Sequence, residues 1–188
     1  MRFIKDEEFI RGNCPMTKEE VRVLSISKME IDENSRVLDV GAGTGSISIQ
    51  MSKICTNGEV VSIEMDEDAI DTTKKNMEKF NVNNMTLIEK EALEALEDVS
   101  GTFDGIFIGG SGGNINEIIE EYGKMLKLNG KIILTFITIG NLYNAIETLK
   151  SLGYKIDVCQ VAVSKTKGKS MMLIAANPIF IITAEKIQ

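Results

Sequence analysis

Val37-Leu38-Asp39-Val40-Gly41-Ala42-Gly43-Thr44-Gly45 passes from a short apolar run carrying one acid into three alternating glycines. Ser46 then opens a segment in which Ile47, Ile49, Met51 and Ile54 are mixed with polar residues, so the whole reads as buried strand, tight turn and helix. The glycines let the backbone press against a ligand where any Cβ would collide, and the helix N-terminus behind them offers unpaired N–H groups. This is a cradle for a nucleotide-type ligand, or else a tight turn without one. A dinucleotide fingerprint places glycines at its first, third and sixth positions. Here the sixth position is Ser46 and the third glycine comes one residue early, at Gly45, which argues against NAD.

Downstream, Asn57-Gly58 turns the chain into a strand over residues 60–63 that closes with Glu64. That acid falls about twenty residues beyond the loop, at a strand's carboxyl end, where a ribose-binding acid sits in such folds. The alternative is a solvated acid ahead of the next helix, residues 66–80. A third strand over 85–88 runs into Glu89-Lys90-Glu91-Ala92, where Glu91 and the backbone of Ala92 are candidates for contacts to an adenine, or part of a plain surface loop. The fourth strand, 103–108, leads into Gly109-Gly110-Ser111-Gly112-Gly113-Asn114 and a helix from residue 115. Four glycines around one serine are costly in chain entropy. They make either a flexible connector or a second cradle whose bare N–H groups meet carboxylates of a substrate.

Upstream, Thr17 and Glu20 have the spacing of a capping box ahead of Val21, Leu24 and Met29, which predicts a helix from Lys18. Thr17 is then a cap only, or a cap that also lines the ligand pocket. Beyond a fifth strand (131–137) and a helix (142–152), two extended runs, 156–163 and 171–183, bracket Ser164-Lys165-Thr166-Lys167-Gly168-Lys169-Ser170. This basic stretch reads as a solvated face or as a mobile loop that meets an acidic substrate through Lys165, Lys167 and Lys169. Strands alternating with helices and ending in a paired strand unit predict a three-layer α/β sandwich, with ligands at the carboxyl ends of the parallel strands.

At 188 residues the expectation is one domain, 1–188, with an N-terminal helical extension over about 1–30. A formal net charge of −7 opposes non-specific attraction to nucleic acid or an anionic membrane, so any anionic ligand must be met by a local basic patch. Three widely spaced cysteines and no histidine exclude the usual zinc spacings and every Ser-His or Cys-His device, so no metal site is expected. The cysteine usage leads us to expect a reducing compartment, and charged residues 1–10 with no apolar tract of membrane length lead us to expect a cytoplasmic protein.

Asp39-x-Gly41-x-Gly43-x-Gly45 resembles motif I of the class I S-adenosylmethionine-dependent methyltransferases. Across nearly the whole length the chain resembles one family among them, the decarboxylating precorrin C15-methyltransferases of cobalamin biosynthesis. Asp6-Glu7-Glu8-Phe9, Pro15-Met16-Thr17-Lys18-Glu19-Glu20, Gly41-Ala42-Gly43-Thr44-Gly45, Gly109-Gly110-Ser111-Gly112-Gly113 and Asn177-Pro178 carry the likeness. The resemblance implies a Rossmann-like, mostly parallel seven-stranded sheet with an antiparallel C-terminal strand. It implies S-adenosylmethionine as cofactor, lined by Thr17, Gly41, Ala42, Gly43, Thr44, Gly45, Glu64 and Ala92. It also implies a tetrapyrrole substrate, a homotetramer, and a separate enzyme for methylation at C5. Glu64 and Glu91 depart from the family's usual Asp, each adding a methylene of reach. The substrate's carboxylates are assigned to Gly109, Gly110, Ser111, Gly112, Gly113, Lys165, Lys167 and Lys169, with Arg11 and Lys18 as weaker candidates. No catalytic side chain is assigned. The rival readings are a methyltransferase acting on an RNA base or protein side chain, and a non-catalytic S-adenosylmethionine-binding protein. Sparse aromatics and the net charge leave no evident stacking platform for a flipped base.

Overall fold

The structure, a computed structural model, describes residues 2–109 and 113–187. Its elements are α1 (Glu19–Met29), β1 (Arg36–Val40), α2 (Ser46–Ser52), β2 (Glu59–Glu64), α3 (Glu67–Lys79), β3 (Met85–Glu89), β4 (Phe103–Ile108), α4 (Ile115–Lys124), β5 (Leu126–Phe136), α5 (Ile139–Ser151), β6 (Lys155–Val161), β7 (Ser164–Lys167), β8 (Met172–Ala175) and β9 (Ile179–Glu185). Seven strands form one sheet in the order β3-β2-β1-β4-β5-β9-β6, in which β9 runs antiparallel to both neighbours and every other pairing is parallel. The expected mostly parallel sheet with one antiparallel C-terminal strand is therefore present. Strand order reverses between β1 and β4, which opens a crevice at their carboxyl ends.

Val37, Leu38 and Val40 of β1 are all at most 1% exposed, as a strand covered on both faces requires. One face packs Leu38, Ile106, Ile132 and Ile182 against α4 and α5. In α4, Ile115, Ile118, Ile119 and Tyr122 recur at helical spacing and are all buried. The other face packs Val37, Val60, Phe107 and Ile181 against α2 residues Ile47 and Met51 and α1 residues Val21, Ile26 and Met29. These are the three expected layers.

Ahead of α1 the chain is mostly extended, with one short 3₁₀ turn at Asp6–Glu8. Arg22, fully buried in α1, ties this strap down: it donates to the carbonyls of Thr17 (2.7 Å) and Ile4 (2.6 Å), pairs with Asp6 at 3.2 Å, and lies 4.9 Å from the Phe9 ring centroid. The expected capping box is not formed. Lys18 is the N-cap without a side-chain capping bond, and Glu20 instead pairs with Lys165 at 2.7 Å. The basic stretch is also not simply a loop, because β7 pairs with β8 as an antiparallel hairpin standing off the main sheet. The extended run expected over 171–183 is broken at 176–178, where Pro178 cannot donate to a ladder. Among the described residues no helix is long and apolar enough to cross a membrane.

Candidate functional site

The glycine loop follows β1 at the sheet's carboxyl edge. Gly41, Gly43 and Gly45 take φ of 81°, 58° and 72°, a region that side chains disfavour. A Cβ on Gly43 would lie 3.0 Å from the Pro15 carbonyl oxygen, and one on Gly45 would lie 3.0 Å from Thr73 Cγ2. Two of the glycines thus let the loop close against the strap and α3. Asn76, fully buried in α3, completes the junction: its amide donates to the carbonyls of Ile10 (2.8 Å) and Thr44 (2.9 Å), and its Oδ1 accepts from the Ile10 N–H at 2.8 Å. Thr73 Oγ1 donates to the Gly43 carbonyl at 2.8 Å.

Glu64 ends β2 beside this loop. One carboxylate oxygen accepts from the Gly43 N–H (2.8 Å), and the other from the N–H groups of Met65 (2.8 Å) and Asp66 (3.0 Å). The first oxygen keeps a second lone-pair direction for a hydroxyl donor, whereas the other already accepts two hydrogen bonds. At the end of β3, Glu91 accepts from Asn114 Nδ2 (3.1 Å) and from the Leu93 N–H (2.6 Å). Burial raises its pKa, but Asn114 and these backbone donors outweigh it and hold the carboxyl below its ordinary value. Beneath the loop Asp39 is fully buried, accepting from the Ser48 hydroxyl at one oxygen while the other has no partner. Burial pushes its pKa up to about 7, against the Ser48 hydrogen bond and aided by the charge on Glu64.

A cleft of about 300 Å³ brings together Thr17, Gly41, Ala42, Gly43, Glu64, Glu91 and Ala92, with Pro15, Lys90, Gly109 and Asn114 on its walls. Thr44 and Gly45 do not line it. Thr44 is 1% exposed behind the loop and Gly45 is the N-cap of α2. A larger cavity of about 760 Å³ lies between the strap, the start of α1, the β7–β8 hairpin and the start of β9. Arg11, Lys18, Lys165 and Lys167 line it beside Asp6, Glu7 and Glu20 and an apolar wall that includes Phe9, Val163 and Ile174. A third cavity of about 280 Å³ joins the two, sharing Pro15, Thr17 and Gly109 with the cleft and Met16, Lys18, Ile137 and Ile179 with the large cavity.

Lys169 is not brought to this system, since it sits in the exposed turn of the hairpin. Gly113 is exposed and lines none of these cavities, and Gly110, Ser111 and Gly112 lie outside the described residues. Lys165 is held by Glu20 at 2.7 Å and lies 4.0 Å from Asp6; the hydrogen bond to Glu20 raises its pKa. Sequence reading missed Arg22, Asn76 and Asn114. The available signal was polar residues at helical spacing, Thr72, Thr73 and Asn76, on a buried face of α3.

The strand order, the glycine loop at the β1 edge and the acid closing β2 define a class I methyltransferase architecture. A precorrin methyltransferase domain matches residues 8–186, and the chain belongs to that family. It is 43% identical over 187 residues, covering 97% of each chain, to a protein of Sulfurisphaera tokodaii named "Probable cobalt-precorrin-6B C(15)-methyltransferase (decarboxylating)". Among solved structures it is similar to a precorrin-6y C5,15-methyltransferase from Geobacter metallireducens, with TM-score 0.93 and 38% identity, covering 98% of this chain and 96% of that one. It is also similar to a precorrin 8w decarboxylase from Methanobacterium thermoautotrophicum, with TM-score 0.90 and 31% identity, covering 96% and 98%.

Proposed function

We propose that this chain is a single-domain, cytoplasmic enzyme that methylates C15 of a cobalt-precorrin-6B-type tetrapyrrole from S-adenosylmethionine and removes the carboxyl of the C12 acetate, in cobalamin biosynthesis. The observation that carries this reading is the joined cavity system: a nucleoside-sized cleft opening through Thr17 and Gly109 into a larger cavity where four cations and three acids border an apolar wall. A wide, apolar ring fringed with carboxylates fits that lining, whereas a flipped base would want an aromatic platform.

The residues of the cleft suit the cofactor. The Glu64 carboxylate, fixed by three backbone donors, is oriented to accept from ribose hydroxyls. Glu91 and the Ala92 backbone face the adenine, and the loop from Gly41 to Gly45 approaches the methionine part without side chains in the way. When bound, S-adenosylmethionine supplies an electrophilic methyl on a sulfonium. The chain's part is to hold the acceptor carbon in line with it, and such positioning can supply several kcal/mol. Thr17 and Gly109 border the passage between the two ligands, while Arg11, Lys18, Lys165 and Lys167 seat peripheral carboxylates. The electron-rich acceptor carbon attacks the methyl without prior deprotonation and releases its proton to solvent afterwards, and the conjugated ring absorbs the electrons left by carboxyl loss.

We further read the protein as a homotetramer, supported by Met171, Met172, Leu173 and Ile174 of the hairpin, each at least 45% exposed. A separate enzyme methylates C5. Incubation of the purified protein with S-adenosylmethionine and a cobalt-precorrin-6B substrate should give a product heavier by one methylene and lighter by carbon dioxide. A protein that binds the cofactor but leaves the tetrapyrrole unchanged refutes this reading.

A further inference from the structure

Loss of the acetate carboxyl leaves a chemical demand that the cofactor does not meet. The bond from the exocyclic carbon to the carboxylate breaks, carbon dioxide departs, and the electron pair enters the conjugated ring. A proton must then be added at the exocyclic carbon to give a methyl group. C15 is a bridge carbon attached to the pyrrole ring that carries C12, so the donor must stand close to where the cleft meets the substrate cavity.

We infer that Lys18 is the acid that delivers this proton, an assignment that rests on the proposed decarboxylating methyltransfer. Of the protonated groups on the large cavity, Lys18 alone also lines the passage to the cofactor cleft. It adjoins Thr17, which reaches the cleft itself. Its ammonium makes no ion pair or side-chain hydrogen bond among the described residues, whereas Lys165 is committed to Glu20. Of the acids on the cavity, Asp6 pairs with Arg22, Glu20 is held as a carboxylate by Lys165, and Glu7 is solvent-exposed. The groups facing Lys18 are Arg11, Asp6, Lys165 and Arg22. Burial first, and then the charge of Arg11, hold its pKa below the usual lysine value, which favours proton release. Beside it Met16, Ile137 and Ile179 form an apolar wall, where a carboxylate gains by becoming neutral carbon dioxide. In balance, the acetate side chain and the lysine ammonium become a methyl group, carbon dioxide and a neutral amine.

The test compares the Lys18→Arg and Lys18→Ala variants with wild type, following methyl gain and carboxyl loss separately by mass spectrometry and cofactor binding by calorimetry. Arginine keeps the charge that would seat a carboxylate but is too weak an acid to give up a proton. Carboxyl loss should therefore fall roughly 100-fold or more in both variants, with cofactor affinity within a few-fold of wild type. Ethylammonium should restore carboxyl loss to Lys18→Ala. The wild-type rate should decline on the alkaline side below the pH at which an ordinary lysine titrates, because only the protonated amine acts. Normal carboxyl loss in Lys18→Arg, or no rescue of Lys18→Ala, overturns the assignment while leaving the methyltransferase reading in place. Wild type that leaves the tetrapyrrole unmethylated overturns both.

Discussion

Glu64 is one of the positions where sequence and structure meet most directly. Its distance from the glycine loop marked it as the acid of the cleft, and the structure adds that its carboxylate gathers backbone donors from Gly43, Met65 and Asp66. Glu64→Ala should weaken S-adenosylmethionine binding by roughly 1.5 to 3 kcal/mol, by loss of hydrogen bonds to a charged acceptor, as calorimetry would report. Unchanged affinity would leave Glu64 a loop staple only. Asp39 carries a different lesson. Its place in the motif was legible, but its full burial with one oxygen unpartnered was not, because that depends on how α2 sits over β1. An acid whose folded pKa is raised to about 7 binds its proton more tightly folded than unfolded. Its contribution therefore lowers stability as pH rises from about 4 to about 7 and changes little beyond. The stability difference between Asp39→Asn and wild type, from urea melts, should move in favour of the variant by a few kcal/mol across that window and then level off. A pH-independent difference would contradict the buried-acid account.

At the scale of elements, the strands were the legible part, since β1 and β4 are buried on both faces and read as apolar runs between turn signals. The start of α1 was not. Thr17 and Glu20 have capping-box spacing, but Glu20 is drawn to Lys165, 145 positions away by number, and no local pattern encodes that partner. The strap was invisible for the same reason, because its anchors Arg22 and Asn76 are long-range. Asn76→Ala would leave the Ile10 N–H and the Ile10 and Thr44 carbonyls without the partner they share. Buried groups left unpaired cost about 1 to 3 kcal/mol each. The variant should stay folded by circular dichroism while trypsin cleaves after Arg11 faster and the cofactor dissociates sooner. Cleavage and dissociation at wild-type rates would show that the strap is held without Asn76.

For the whole molecule, the alternation of strands and helices was enough to predict three layers and the edge where ligands bind, because those follow from connection rules rather than from particular side chains. The hairpin escaped that logic. β7 and β8 are exposed along their length and pack on no core, so periodicity had nothing to register. If the exposed apolar residues of β8 meet a second copy, light scattering at micromolar concentration should give a tetramer, and Leu173→Glu should give smaller species without loss of cofactor binding. A wild-type monomer would dismiss the assembly without touching the chemistry. The place where the hairpin joins the sheet has one more consequence. β6 and β9 are already paired at Val161 and Ile179, so the chain leaves the sheet and returns to it at a single point. A ribbon of another length or composition can be exchanged there without altering one hydrogen bond of the main ladder. If the hairpin seats the acceptor as proposed, that part of the site can be refitted by descent or by an engineer as a cassette, apart from the glycine loop and Glu64 at the other end of the cavity system.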